Sequence, residues 1–390
     1  MKRIIDTEKT PIKLWLDDIE AGTMEQAANL ANLPFVFKHV AVMPDAHLGY
    51  GMPIGGVMAA LGMVVPNAVG VDIGCGMCAV QTSLTDISTD KLKAVLGRVR
   101  KTIPVGFKHP QHRQDPALMP KVKDGRLEDL AIVPGEYRNA LTQIGTLGGG
   151  NHFIEIQKGS DGHIWIMVHS GSRNLGFKVA TYYNRLAIDL NRQWGSKIPA
   201  KWQLAFLPID SEAGRRYLSE MRYCVDFAFA NRKLMMKQVQ DALLAVTPPV
   251  YFGEMINIAH NYAALETHFH KNVIVHRKGA TRANPGEIGI IPGSQGTPSY
   301  LVRGKGNPES FSSCSHGAGR RMGRKQAQRQ LDLAGEQKKL DDQGILHGVR
   351  SRRDLDEAAG AYKDIDEVLE NQLDLIEVLV ELHPLAVVKG

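Results

Sequence analysis

An α+β fold, organised as one catalytic domain over residues 1–390, is predicted for this 390-residue chain. Three observations lead there. Strand-like and helix-like segments do not alternate in a strict βαβ rhythm, which argues against a doubly wound sheet. No internal repeat, low-complexity linker or compositional seam divides the chain. Residues able to carry chemistry recur near positions 45, 72–75, 151–173, 260, 278–303 and 316, and such a spread is easier to gather inside one domain than across a linker. Hydrophobic residues make up 43% and charged residues 23%, the balance of a soluble globular protein with a sizeable core.

The elements follow in order. Residues 36–44 (VFKHVAVMP) read as a strand running into a loop, and a glycine-rich stretch, 49–76, follows it. Residues 89–101 have the apolar spacing of an amphipathic helix, opened by Ser88-Thr89-Asp90 as caps. The polar segment 105–140 reads as a surface excursion. Two strands, 152–157 and 163–168, flank the turn Ser160-Asp161-Gly162. A long helix is expected at 211–245, with Tyr217, Met221, Cys224, Val225 and Ala228 on its apolar stripe. Short strands with glycine turns fill 272–303, and helices are expected near 318–340 and 363–382.

Bulk properties exclude several classes. The start, MKRIIDTEKTPIKLW, lacks the apolar run of a signal peptide, and no stretch reaches 18 uninterrupted apolar residues, so neither export nor membrane insertion is expected. Four cysteines are too few for a disulfide framework in this length, which fits a cytoplasmic location. The net charge of +6 is compatible with a polyanionic partner. The 39 glycines and 14 histidines are clustered rather than scattered.

One cluster suggests a metal site. Asp72-Ile73-Gly74-Cys75 sets a carboxylate and a thiol three residues apart in a tight turn. His152 begins one strand of the expected hairpin and His169 ends the other, so the two imidazoles should meet; His260 offers a third. Cys75 and Cys78 also form a C-x-x-C, compatible with a redox pair or half a zinc site, but no second C-x-x-C accompanies it and Cys78 reads as a buried small side chain. Donor chemistry alone leaves zinc, iron and manganese open.

A second group suggests phosphate binding. Gly145–Gly150, Ser170-Gly171-Ser172-Arg173, Arg277-Lys278-Gly279-Ala280 and Pro292–Thr297 combine glycine, small hydroxyl and basic residues, as backbone anion cradles do. The P-loop spacing G-x-x-x-x-G-K-[ST] does not occur. Ser315-His316-Gly317 exposes an imidazole between small residues, and neutral imidazole is a competent nucleophile toward phosphorus. If a helix has begun there, Arg320 lies beside His316. The plainer alternative is a capping histidine at a glycine-rich helix entrance.

The segments FKHVAVMPDAHLGYG, VGVDIGCGM, LGGGNHFIEI, VHSGSRNLG, HNY, RKGA, IPGSQGTPSYLVRG, SCSHGAGR, AYKDID and the closing VKG resemble, in order, those of RtcB-type RNA-splicing ligases, from about residue 10 to Lys389-Gly390. The resemblance implies joining of RNA 2′,3′-cyclic phosphate or 3′-phosphate ends to 5′-hydroxyl ends, with GTP and two manganese ions as cofactors and room for an archease-like activator as a partner. It implies metal ligation by Asp72, Cys75, His152, His169 and His260, with Cys75 bridging, and guanylylation of His316. It implies a guanosine pocket from Asn151, Glu155, Ser294, Ser299, Ala318, Tyr362 and Lys389, and phosphate contacts from Arg173, Lys278 and Arg320. Three positions depart from the family pattern: Ala46 for valine, Gly149 for a small hydroxyl residue, and Asn174 for glycine, where asparagine's tolerance of the left-handed region is expected to help. The rival readings are a metal-dependent RNA phosphodiesterase and a non-catalytic RNA-end binder.

Overall fold

Val36–Tyr50 forms a strand well past the expected end at residue 44, because the glycine-rich stretch behind it folds back as Met52–Ala60, with Ala41 opposite Val57 and Val42 opposite Gly56. The computed structural model describes residues 1–106, 108, 110, 112–123 and 125–390. Among these, most strands belong to two sheets. The six-stranded sheet runs in the order Arg3–Ile5, Ile12–Leu14, Val36–Tyr50, Met52–Ala60, Lys271–Lys278, Asn261–His268. The seven-stranded sheet runs Ile256–Ala259, Gly76–Gln81, Ile164–Ser170, Phe153–Gly159, Ile376–Lys389, Ser299–Gly304, Ile288–Ile291. Pairing is antiparallel except where Ile12–Leu14 meets Val36–Tyr50. The α+β class is as expected.

Alternation along the strands explains how the layers stack. In the six-stranded sheet Ile12, Leu14, Val40, Val42 and Met58 face the helix Ala21–Ala31, while Ala41, Met43, Val57, Val273 and Val275 pack with Tyr300, Val302 and Ile376 of the other sheet. In the seven-stranded sheet Cys78, Val80, Ile154, Ile156, Ile166 and Val168 bury against the helices Thr89–Thr102 and Glu212–Leu244. Met77, Phe153 and Met167 occupy the opposite face, and with them, by the period of two, come Glu155 and His169. Cys78 is therefore a core residue, as read.

The structure departs from expectation at five points. The segment 105–140 is not only a surface excursion: its helix Val133–Ala140 packs into the helical core with Val133 and Ala140, joined by Met119 and Leu130. Phe107, His109, Gln111 and Asp124 of that segment lie outside the described residues. The helix Arg173–Gln193 was not expected, because glycine and serine at its start disguise it. The helix over 318–340 is two shorter helices, Arg324–Gln330 and Leu333–Asp342, and Arg320 lies before both, bridged to Tyr362. Of 363–382 only Ile365–Glu370 is helical; Ile376–Lys389 is a central strand. Asn174 falls inside the helix Arg173–Gln193, and Arg173 is the residue with positive φ (59°), so the left-handed position is one residue earlier than expected.

A buried ion pair braces the hairpin at the edge of the six-stranded sheet. The Arg277 guanidinium is fully buried, and its Nη2 donates to Glu266 Oε2 (2.9 Å) and to the Phe311 carbonyl (2.9 Å). Burial opposes ionisation of Glu266, but Arg277 and His268 outweigh it and bring the carboxyl down to about 2. Its folded pKa thus lies below the ordinary 4.5, so its stabilisation is complete above that pH and is lost as pH falls toward 2. Replacing Glu266 by Ala should cost about 3 kcal/mol, since it strands a buried cation. Urea unfolding at pH 7 measures this, and the gap between wild type and variant should narrow below pH 4.5.

Candidate functional site

The turn that carries Asp72 and Cys75 presses on the long helix Glu212–Leu244. Gly74 has φ +74°, and a Cβ there would sit 2.8 Å from the Val225 Cα, so only glycine fits. Gly171 leaves space for the Asp72 carboxylate, which a Cβ would meet at 2.1 Å. His152 and His169 meet at the mouth of the hairpin as expected, and the edge strand adds His260, whose N–H donates to the Cys75 carbonyl (2.8 Å).

The side chains of these five residues converge. His152 Nε2 lies 3.1 Å from Asp72 Oδ2 and 3.5 Å from Cys75 Sγ; His169 Nε2 lies 3.3 Å from the same sulfur. Two sets of metal-capable groups share that sulfur: Asp72, Cys75, His152 and Cys75, His169, His260, with donor atoms in each set within 4.8 Å of one another. His152 Nδ1 is 2.9 Å from the Leu147 carbonyl and His169 Nδ1 is 3.0 Å from the Asn151 carbonyl. A carbonyl can only accept, so both rings donate from Nδ1 and turn the Nε2 lone pair inward. Burial, with neighbouring histidines adding to it, holds His169 and His260 far below the ordinary imidazole range and therefore neutral. His260 Nδ1 is buried without a hydrogen-bond partner. Burial and Asp72 push the Cys75 thiol well up, and a cation bound there would take its proton's place. Lone pairs on inward-facing neutral imidazoles, an orphaned ring nitrogen and a shared sulfur fit a pair of divalent cations.

His316 borders this cluster, its ring centroid 4.7 Å from that of His260. Asp45, fully buried, accepts from both the His316 backbone N–H (3.1 Å) and Nδ1 (2.6 Å) with one oxygen. The ring is thereby fixed with Nε2 as its lone-pair nitrogen. A cavity of about 780 Å³ adjoins it, lined among others by Asn151, Phe153, Glu155, Ser294, Ala318, Arg320, Tyr362 and Lys389. Burial raises Glu155 to about 8, an effect that Lys389 and Gln157 only partly offset, and burial lowers Lys389. Arg320 Nη1 and Arg324 Nε reach Glu357 at 3.1 and 2.8 Å, and the Tyr362 hydroxyl donates to the same carboxylate.

The remaining site residues lie nearby. Arg173, held at a positive φ that costs a non-glycine residue about 1 kcal/mol, directs its Nε to Thr146 Oγ1 (3.3 Å) within electrostatic reach of Asp72 and Cys75. Ser299 stands behind the cavity, joining Gln157 (3.2 Å) to the Gly293 N–H (3.2 Å). Lys278 is turned away: its buried ammonium donates to the carbonyls of Tyr50 (2.6 Å) and Asn67 (3.2 Å).

A family model described as tRNA-splicing ligase RtcB matches residues 26–390. The chain belongs to the RtcB family. It is 39% identical to the RNA-splicing ligase RtcB of Escherichia coli (strain K12), over 99% of each chain. It is 34% identical to the tRNA-splicing ligase RtcB of Thermococcus kodakarensis, over 94% of this chain and 91% of that one. It is 33% identical to the RNA-splicing ligase RtcB of Mycobacterium tuberculosis (strain ATCC 25618 / H37Rv), over 94% of this chain and all of the relative.

Position 45 is among those expected to carry chemistry, but Asp45, in the motif PDAH, has no role or partner assigned from sequence. Two further residues of this RtcB-family site carry no expectation from sequence: Asn231 and Arg232, adjacent and buried on the long helix. Asn231 accepts from the N–H groups of Gly145 (2.7 Å) and Thr146 (3.2 Å) and donates to Ser170 Oγ (3.2 Å) and the Gly171 carbonyl (3.1 Å). Arg232 donates to the carbonyls of Gly74 (2.9 Å) and Ser170 (2.7 Å) and to Asn257 Oδ1 (2.8 Å). The dipeptide thus grips the segment before His152, the one after His169, the turn of Cys75 and the strand of His260. Asn231→Leu keeps the volume but leaves these buried groups unpaired, so urea unfolding should show a loss of about 3 kcal/mol. Calorimetric titration should show divalent-metal affinity falling by about tenfold or more; undiminished affinity would refute the gripping role.

Proposed function

We propose that this RtcB-family chain acts as a single catalytic domain that joins RNA 2′,3′-cyclic phosphate or 3′-phosphate ends to 5′-hydroxyl ends, using GTP and manganese in the cytoplasm, with His316 as the nucleophile. One observation carries the reading: Asp45 holds His316 Nδ1, which leaves Nε2 as the free lone pair beside a cavity lined by Glu155, Arg320, Tyr362 and Lys389 and beside two sets of groups able to hold metal. Two manganese ions held by Asp72, Cys75, His152, His169 and His260 would offset phosphate charge and favour attack on phosphorus.

His316 Nε2 attacks the α-phosphorus of GTP; an N–P bond forms, the α–β bridge breaks, and pyrophosphate leaves. The RNA 3′-phosphate, which a cyclic end yields on opening by water, then takes the GMP from His316, giving RNA-(3′)pp(5′)G and a free imidazole. The 5′-hydroxyl attacks the RNA phosphorus, loses its proton and expels GMP, leaving a phosphodiester. Asp45 acts through His316, keeping the ring in one tautomer and one orientation as the N–P bond forms and breaks.

The cavity suits guanine. A guanine edge offers two N–H donors and a carbonyl acceptor, and Glu155 and Lys389 supply a carboxyl and an ammonium among the lining groups. Arg320, in the cavity lining, and Arg173, near Asp72 and Cys75, would balance phosphate charge, whereas Lys278 serves the structure of the loop around Tyr50 and Asn67. A phosphodiesterase would use the metal ligands but has no need of a buried Glu155 and Lys389 beside His316.

Incubation with α-labelled GTP and manganese should label the wild-type protein covalently. His316→Ala should take no label, and Asp45→Ala should slow labelling by on the order of 100-fold or more. Label that persists in His316→Ala would sink the mechanism. Cys75→Ser should weaken manganese binding in a calorimetric titration by at least about tenfold, because a thiolate is lost from both ligand sets.

A further inference from the structure

Apart from the cavity at His316, a second concavity of about 610 Å³ opens between the helix Thr89–Thr102 and the segment 341–350. Lys93, Leu96 and Arg100 line one wall, at a spacing that puts them on one helix face. Ile345, Leu346 and Arg350 line the other. Leu96 and Ile345 are buried and form an apolar floor, while the three cations stand exposed at the rim. Arg350 is oriented by carbonyl groups, its Nη1 donating to Val349 (2.9 Å) and its Nη2 to His347 (3.2 Å), which fixes the guanidinium without neutralising it. Asp341, also in the lining, faces His347 Nε2 at 3.1 Å.

The charge is concentrated and unmatched. The helix holds five lysines and arginines against Asp90, and 350–354 holds three arginines against Asp354; the excess of the two segments together equals the net +6 of the whole chain. Among the described residues, no carboxylate lies within ion-pair distance of any of these eight cations. Two chain segments tie the groove to the catalytic cavity. From Arg350 the chain enters the turn Arg352–Glu357, whose last residue lines that cavity, and Leu346 pairs with Ala386 on the strand that delivers Lys389 to it.

We propose that this groove binds the phosphate backbone of the RNA strand leading away from the reacting ends, an inference that rests on the ligase reading. Cations on both rims of an apolar floor suit a single strand, whose phosphates they neutralise while ribose covers the floor. The lining has no Phe, Tyr or Trp on which a base could stack, and its one imidazole, His347, is buried and held by Asp341, so the groove follows the backbone without sequence preference.

The test uses the full chain carrying Lys93→Gln, Arg100→Gln and Arg350→Gln together. Covalent labelling by GTP should be unchanged. For RNA substrates with arms of about 20 nucleotides, KM should rise about tenfold at unchanged kcat. Three lost phosphate contacts should flatten the dependence of log affinity on log salt by about 2. Substrates with arms of about three nucleotides, too short to leave the catalytic cavity, should be joined equally well by both proteins. Unchanged KM and salt slope for long RNA, the result expected if an acidic protein is the true occupant, would overturn the proposal, as would an equal loss on short substrates. Failure of wild type to take label would instead sink the ligase reading, and the salt slope of RNA binding would still decide the groove.

Discussion

Buried polar loops need partners, and in this protein one dipeptide supplies them. Loops that expose ligand side chains leave their own N–H and carbonyl groups without a ladder to join, and each such group buried unpaired would cost about 1–3 kcal/mol. Asn231 and Arg232 answer for four of these segments at once. The long helix is therefore more than a cover for the seven-stranded sheet: it is the rod against which the ligand loops are aligned. Arg232 also carries its charge inside, with burial lowering its pKa to about 10 while Cys78, Cys75 and Asp72 oppose that shift.

The local part of this arrangement was legible in the sequence. The hairpin that joins His152 to His169 follows from two apolar runs around Ser160-Asp161-Gly162, and the turn of Asp72 and Cys75 from its glycines. The pairings between distant segments were not. Asp45 and His316 are 271 positions apart, and no periodicity relates them. The stripe of the long helix held a readable clue: continued beyond Ala228 by three or four residues it reaches Asn231 and Arg232, polar residues where apolar ones are expected, and such an interruption signals a buried polar task. The segment after 370 misleads for a different reason. Its leucines, valines and isoleucines satisfy a helical spacing as well as an extended one, and only its place between Phe153–Gly159 and Ser299–Gly304 decides the matter. Arg320, expected beside His316 on a helix, instead reaches Glu357 from an extended segment, and that carboxylate carries no expectation from sequence.

Electrostatics divide the site into two zones. Around the sulfur, burial keeps His169 and His260 neutral and pushes the Cys75 thiol up, while His152 helps bring the Asp72 carboxyl down to about 2. Around the cavity, Glu357 gathers Arg320, Arg324 and Tyr362, so a fixed carboxylate spaces the cations that would otherwise repel one another. His316 stands at the boundary between the two.

Two candidate ligand sets, Asp72 with His152 and His169 with His260, share the Cys75 sulfur. A cation bound in either set would displace the proton of the same thiol, so the affinities of the two positions would be linked, each changing the other by the same factor.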